Sequence, residues 1–327
     1  MTQTFNASLI GACALMIFSA AAQAQSPKVW RHGMVEAKSD AGFVMMAGKG
    51  GFAEKQGFQI DYMQFKGDAL ALKAMLAGEV DSYEGSPGAP MTAASRGADI
   101  KLVGCYWPVL TYGLWTNKPN LTLADLKDKN FAISSPGALP DLFARAVLEK
   151  QGLTANDVKF VALGSDADRF RAVSAGIVDV AAASTEFTPN ASQMGIRLLV
   201  HAAQATPNFI RFCTYISGKT LAQRGDEAAK FLAANMQALR HALSDKDAEV
   251  KLTQEMTDAK PEDTRAAFVF DEVKKYGAID PDMGIPMEKL GWMMDLFVKT
   301  ENLAKPMDLT KFVDAGPREK ALALASK

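Results

Sequence analysis

The side chains able to do chemistry in this 327-residue chain cluster in short polar stretches just past apolar runs. Strand-like runs end near Met34, Glu84, Cys105, Ser134, Ala182 and His201. In an open α/β sheet, the loops at the carboxyl ends of strands face the ligand crevice. In the first half, those loops offer Glu36, Ser39 and Asp40, then Glu84, Ser86 and Pro87, then Trp107. In the second half they offer Ser134, Ser135, Pro136 and Gly137, then Thr185 and Glu186, then Gln204. Ser134 to Gly137 precede a helix expected from Pro140, and Ser86-Pro87-Gly88 has the same character. Helix starts carry free N–H groups and partial positive charge, which suit a carboxylate or sulfonate. A plain N-cap and tight turn would use the same residues. Glu36, Asp40, Glu84 and Glu186 supply negative charge; Arg31, Lys66, Arg169 and Arg211 could offset them or bind an anion. The sign of the ligand therefore stays open at this point.

Catalytic constellations are missing from the pattern, so no catalytic residue, metal ligand or cofactor is assigned. The three histidines, His32, His201 and His241, lie far apart without ligand spacing. There is no HExxH, GxSxG or Walker A stretch. Gly48-Lys49-Gly50-Gly51 follows a helix-like run, the wrong context for a dinucleotide fingerprint.

The elements that must position these loops alternate. Strands are expected over 28–34, 59–65, 80–84 and 100–105, with helical segments between them. The alternation restarts at 131–134, and the last third is mainly helical. Strand-helix-strand order points to an α/β fold with a largely parallel sheet. The restart also carries residues. Glu54-Lys55-Gln56-Gly57 recurs as Glu149-Lys150-Gln151-Gly152. Asp68-Ala69 corresponds to Asp166-Ala167, and Ala77-Gly78-x-Val80-Asp81 to Ala175-Gly176-x-Val178-Asp179. Common helix endings could produce one such match; two in order suggest two lobes on one plan.

Lys and Arg number 36 against 37 Asp and Glu, so nothing implies a nucleic-acid partner. From Met1 to Ser26 there is no charged side chain, and Ala22-Gln23-Ala24 has the small-x-small form of a signal-peptidase site. Residues 1–24 therefore read as a signal peptide cleaved near Ala24, leaving an exported, periplasmic protein. Lipidation at Cys13 is the alternative. Cys105 and Cys213 read as two buried thiols, with a bridge between them open in an oxidising compartment.

The stretch Phe52-x-Glu54-Lys55-Gln56-Gly57, Ala69-Leu70, Ala77-Gly78-Glu79-Val80-Asp81 and Arg96-Gly97-Ala98 resembles the substrate-binding components of ABC transporters. The similar group is the sulfonate, taurine, nitrate and thiamine-pyrimidine-precursor binders (NMT1-like). Leu123-x-Asp125-Leu126-Lys127-x-Lys129, Arg169-Phe170-x-Ala172-Val173 and Phe312-Val313-Asp314 extend the resemblance over most of the chain. It implies a type II periplasmic-binding-protein fold: two α/β lobes joined by a two-crossing hinge, near 106–116 and 209–216. Lobe one would hold 25–110 and 213–327, and lobe two 111–212. The implied function is periplasmic capture of a small organic anion, of sulfonate or aromatic carboxylate type, by a monomer that hands it to an ABC permease in the inner membrane. The alternatives are a pyrimidine-like heterocycle as ligand, a sensory role, or a pyrimidine-precursor synthase on the same fold. The cysteine- and histidine-rich site of the family's yeast synthases has no counterpart here, which favours a binder over an enzyme.

Overall fold

The computed structural model describes residues 1, 2 and 28–326. The expected leader, its cleavage position and Cys13 lie outside the described residues. The chain opens with β1 (Lys28–Val35), α1 (Ala41–Lys49), α2 (Phe52–Lys55), β2 (Phe58–Phe65), α3 (Asp68–Ala77), β3 (Ser82–Gly85), α4 (Gly88–Ser95) and β4 (Lys101–Trp107). It then crosses to β5 (Tyr112–Thr116), β6 (Asn130–Ile133), α5 (Leu139–Lys150), β7 (Lys159–Ala162), α6 (Asp166–Ser174), β8 (Val180–Ser184), α7 (Thr188–Ala191), β9 (Arg197–His201) and α8 (Ala202–Ala205). It returns as β10 (Phe212–Ile216), followed by α9 (Gly218–Ser244), α10 (Lys246–Thr257), α11 (Arg265–Tyr276), α12 (Met287–Lys299), α13 (Leu309–Phe312) and α14 (Gly316–Ala325).

Two five-stranded sheets result, in the orders β2-β1-β3-β10-β4 and β7-β6-β8-β5-β9. In each, the first three strands are parallel and the fourth is antiparallel to its neighbours. The fourth strand is the one that has just crossed from the other lobe. The alternation of side chains serves both faces. In the second sheet, Phe131, Ile133, Val180 and Ala182 join the cluster containing Phe143 and Val147 of α5. Ala132, Ala181 and Ala183 point the other way, to Phe170 and Val173 of α6. This period-two split is what helices on both faces of a parallel sheet require.

The repeated sequence blocks have matching structural jobs. Gly78 and Gly176 both take left-handed φ, 79° and 71°, to end their helices. Asp81 then accepts the Arg31 N–H at 2.8 Å, and Asp179 accepts the Asn130 N–H at 3.0 Å. Each carboxylate ties the strand it precedes to that strand's parallel neighbour, β1 or β6.

The reading of two separate thiols is corrected. Cys105 and Cys213 form a disulfide across a sequence separation of 108. β4 and β10 are neighbours, and a register shift between Phe212 and Thr214 sets Cys213 against Cys105. β5 was not expected as a strand; all five of its residues are buried, so it shows no alternation.

The last third braces both lobes. α9 and α14 pack on the first sheet with Trp30, Trp107 and Ile216. Leu290, Met293 and Phe297 of α12 belong to a cluster that runs from Leu72 and Tyr83 through Leu142 and Val180. Leu142 of α5 and Phe297 of α12 both come up against Gly88, so the starts of α4 and α5 approach each other.

Candidate functional site

The loop from β1 to α1 carries Lys38, Ser39 and Asp40. Asp40 precedes α1 and its carboxylate pairs with Arg211. Arg211 lies in the second crossing and donates to Thr111 Oγ1 in the first, at 2.9 Å. Its guanidinium covers the Trp107 ring at 4.2 Å and the Phe212 ring at 4.6 Å. Burial works against its charge, but Asp40 and two phenols outweigh burial and raise its pKa. Beside it, Glu84 accepts the Tyr106 hydroxyl, and His32 Nε2 stands 3.6 Å away. A recess opens here, walled by Met34, Val44 and Phe212 and bearing Glu36, Lys38, Asp40, Glu84 and Arg211.

The second lobe answers with Asp166 at the start of α6. One carboxylate oxygen takes Lys38 and, at 3.1 Å, the Tyr112 hydroxyl. The other takes Arg169 and the Ser184 N–H, the latter at 3.1 Å. Burial alone would raise this carboxyl, yet Lys38 and Arg169 hold it well below the usual range. Glu186 Oε2 accepts the Ser39 N–H at 3.1 Å. Burial raises the Glu186 pKa, with Lys38 opposing. Burial and Asp166 push the Tyr112 phenol up to about 12. The lobes thus meet through Lys38–Asp166 and Ser39–Glu186. Thr185 Oγ1 lies 2.6 Å from Glu272 of α11, which also holds His201 Nε2 at 3.0 Å.

The structure therefore brings together Ser39, Asp40, Glu84, Thr185 and Glu186, with exposed Glu36 at the rim. Ser86 and Pro87 are buried at the start of α4. Ser134 is half-buried, and Ser135 and Pro136 are exposed. The Gly137 N–H donates to Asp141 Oδ2 at 2.7 Å, and Asp141 is buried against Arg145. The start of α5 is thus occupied by the chain's own carboxylate. Trp107 is fully buried under Arg211, acting as a platform rather than a wall. Gln204 is exposed on α8, away from these groups.

Lys38, Asp166 and Glu272 were not among the expected site residues. One signal could have found Asp166. The repeat matches it to Asp68, and both open a helix at the carboxyl end of the lobe's second parallel strand. Lys38 has no such signal, because a lysine in a loop reads as surface.

No curated protein matches the chain. Among solved structures, the periplasmic aliphatic sulphonate binding protein SsuA from Escherichia coli superposes with a TM-score of 0.73 at 21% identity, covering 88% of this chain and 92% of that one. The alkanesulfonate-binding protein SsuA from Xanthomonas axonopodis pv. citri, bound to MOPS, gives 0.73 at 20%, covering 89% and 99%. The desulfurization enzyme DszB shares the architecture at 0.65 and 14%, covering 91% and 99%. At such identities these likenesses speak for the fold, which is that of periplasmic binding proteins. The sequence model of the NMT1/THI5-like family matches residues 38–249, from the Lys38 loop through both crossings to α10. The chain belongs to the NMT1/THI5-like family.

Proposed function

We propose that the protein is the solute-binding component of an ABC importer and captures a small organic anion, of sulfonate or aromatic carboxylate type, between its lobes. The observation that carries this reading is the recess bearing Lys38 and Arg211 where both lobes and both crossings meet. Each cation is partnered by a carboxylate of the chain, so an entering anion competes with Asp166 for Lys38 and with Asp40 for Arg211. Lys38 sits on a flexible stem, and Arg169, the Tyr112 hydroxyl and the Ser184 N–H still hold Asp166 when Lys38 turns to an entering anion. The acids are less available to a cation. Glu84 already accepts the Tyr106 hydroxyl, and burial favours the neutral form of Glu186. The sulfonate binders that share the fold support the same ligand class.

Capture proceeds by hinge closure without covalent chemistry. The Lys38–Asp166 and Ser39–Glu186 contacts mark the closed arrangement. Under this reading the lobes divide as 25–110 with 213–327, and 111–212. The protein works as an exported monomer, its leader 1–24 removed, and delivers its ligand to an inner-membrane permease. A thermal-shift screen of aliphatic sulfonates and aromatic carboxylates tests the reading. At least one should raise the melting temperature, and Lys38→Met should weaken its binding about tenfold or more. If no anion of either class stabilises the protein, the reading fails.

A further inference from the structure

Of the buried polar atoms that lack a hydrogen-bond partner among the described residues, four sit close in the chain's topology: Asp68 Oδ1, the hydroxyls of Tyr83 and Tyr215, and Ser86 Oγ. They come from neighbouring pieces of chain. Asp68 opens α3 at the carboxyl end of β2, and Ser86 follows β3. Tyr83 and Tyr215 are cross-strand partners on β3 and β10. Their rings stack at 5.2 Å and 24°. Gly85 lets the Tyr83 hydroxyl reach the end of its strand, because a Cβ at that position would lie 2.5 Å from the oxygen.

The groups also sense one another. After burial, the Asp68 carboxyl is the next cause raising both phenols. Asp68 itself is pushed up to about 6 by burial, with Lys38 and the Ser86 backbone N–H opposing and Glu84 adding. Lys38 and Glu84 both face the recess, so this cluster adjoins the site already described. An unsatisfied buried polar group costs about 1–3 kcal/mol. Phe and Ala at three of these positions would avoid that cost. None of the four lines the recess itself, but Glu84, between Tyr83 and Gly85 on β3, does; four such groups behind that wall suit a polar guest.

We propose that Asp68, Tyr83, Ser86 and Tyr215 form a specificity niche for an uncharged hydrogen-bonding end of the ligand, a hydroxyl or carboxamide, while its anionic end meets Lys38 and Arg211. The inference rests on the anion-capture reading above. Each hydroxyl of the niche can donate or accept, and the ionised Asp68 accepts. A second negative charge on the ligand would face Asp68 and be rejected. A ligand ending in a methyl group would leave all four groups unpaired, a situation that produces strong discrimination.

Calorimetric titration of the purified protein with two matched pairs tests the niche: isethionate against ethanesulfonate, and para-hydroxybenzoate against benzoate. In at least one pair the hydroxylated member should bind about tenfold tighter or more. Tyr215→Phe and Tyr83→Phe should bring that ratio close to one while leaving affinity for the plain anion unchanged. Equal affinities within both pairs would overturn the niche and leave the anion reading standing. Equal losses for both members of a pair in the variants would also overturn it, showing a structural role. If none of the four compounds binds, the niche falls, and the parent reading is decided by the wider screen of both anion classes.

Discussion

Arg211 ties together several parts of the molecule that are distant in the chain. It reaches Asp40 from the β1–α1 loop, Thr111 from the first crossing, and the rings of Trp107 and Phe212. Arg211→Ala would strand the Asp40 carboxylate in a buried place. The expected loss is about 3 kcal/mol or more of unfolding free energy in urea. The double variant Arg211→Ala with Asp40→Ala should recover part of it, because no lone charge is left behind. If the double variant is as unstable as the sum of the two single ones, the pair is not coupled. At this scale the sequence was only partly legible. Ser39, Asp40, Glu84 and Glu186 follow from the rule that strand ends face the crevice. The burial of Trp107 under a guanidinium does not, because that packing depends on a residue a hundred positions away. Asp141 was likewise hidden in a helix start read as open, although an acid in the first turn is the usual way to fill one.

Among the elements, α1 and α10 touch closely. A Cβ at Gly42 would lie 2.3 Å from the Glu249 carbonyl oxygen, so the helices meet backbone to backbone. The same contact buries the Glu249 side chain completely. Its Oε1 accepts the Thr253 hydroxyl at 3.0 Å, while Oε2 has no partner among the described residues. Burial pushes this carboxyl up to about 8. A raised carboxyl favours the folded state while protonated and loses that advantage as pH rises through the folded value. Stability should therefore fall between about pH 5 and pH 8, by about 3 kcal/mol from this group. Glu249→Gln should flatten the decline, as read from urea midpoints across that range; an unchanged slope would refute the assignment. The elements themselves were more legible than the contacts. The paired blocks ending at Asp81 and Asp179 announced two lobes because each performs a backbone task independent of ligand. β5 escaped because a strand buried on both faces loses the alternation that reveals strands.

For the whole molecule, the Cys105–Cys213 bridge stands at the foot of both crossings, on β4 just before the first and on β10 just after the second. It closes a loop that contains the entire second lobe. Replacing both cysteines with alanine should lower unfolding free energy by about 4 kcal/mol, mostly by freeing the unfolded chain. Ligand affinity, measured below the lowered melting temperature, should stay within about twofold, since neither cysteine lines the recess. A large affinity loss would mean that the bridge sets the hinge geometry. The strand that carries Cys213 has a further consequence. β10 lies between β3 and β4, yet it comes after every strand of the second sheet. A chain delivered amino end first can complete its second lobe while the first still has a gap in the middle of its sheet. The earlier-made half is therefore the later-finished one, and β3 and β4 keep open edges until residues 212–216 arrive. Any helper that shields strand edges during delivery has its work in that interval.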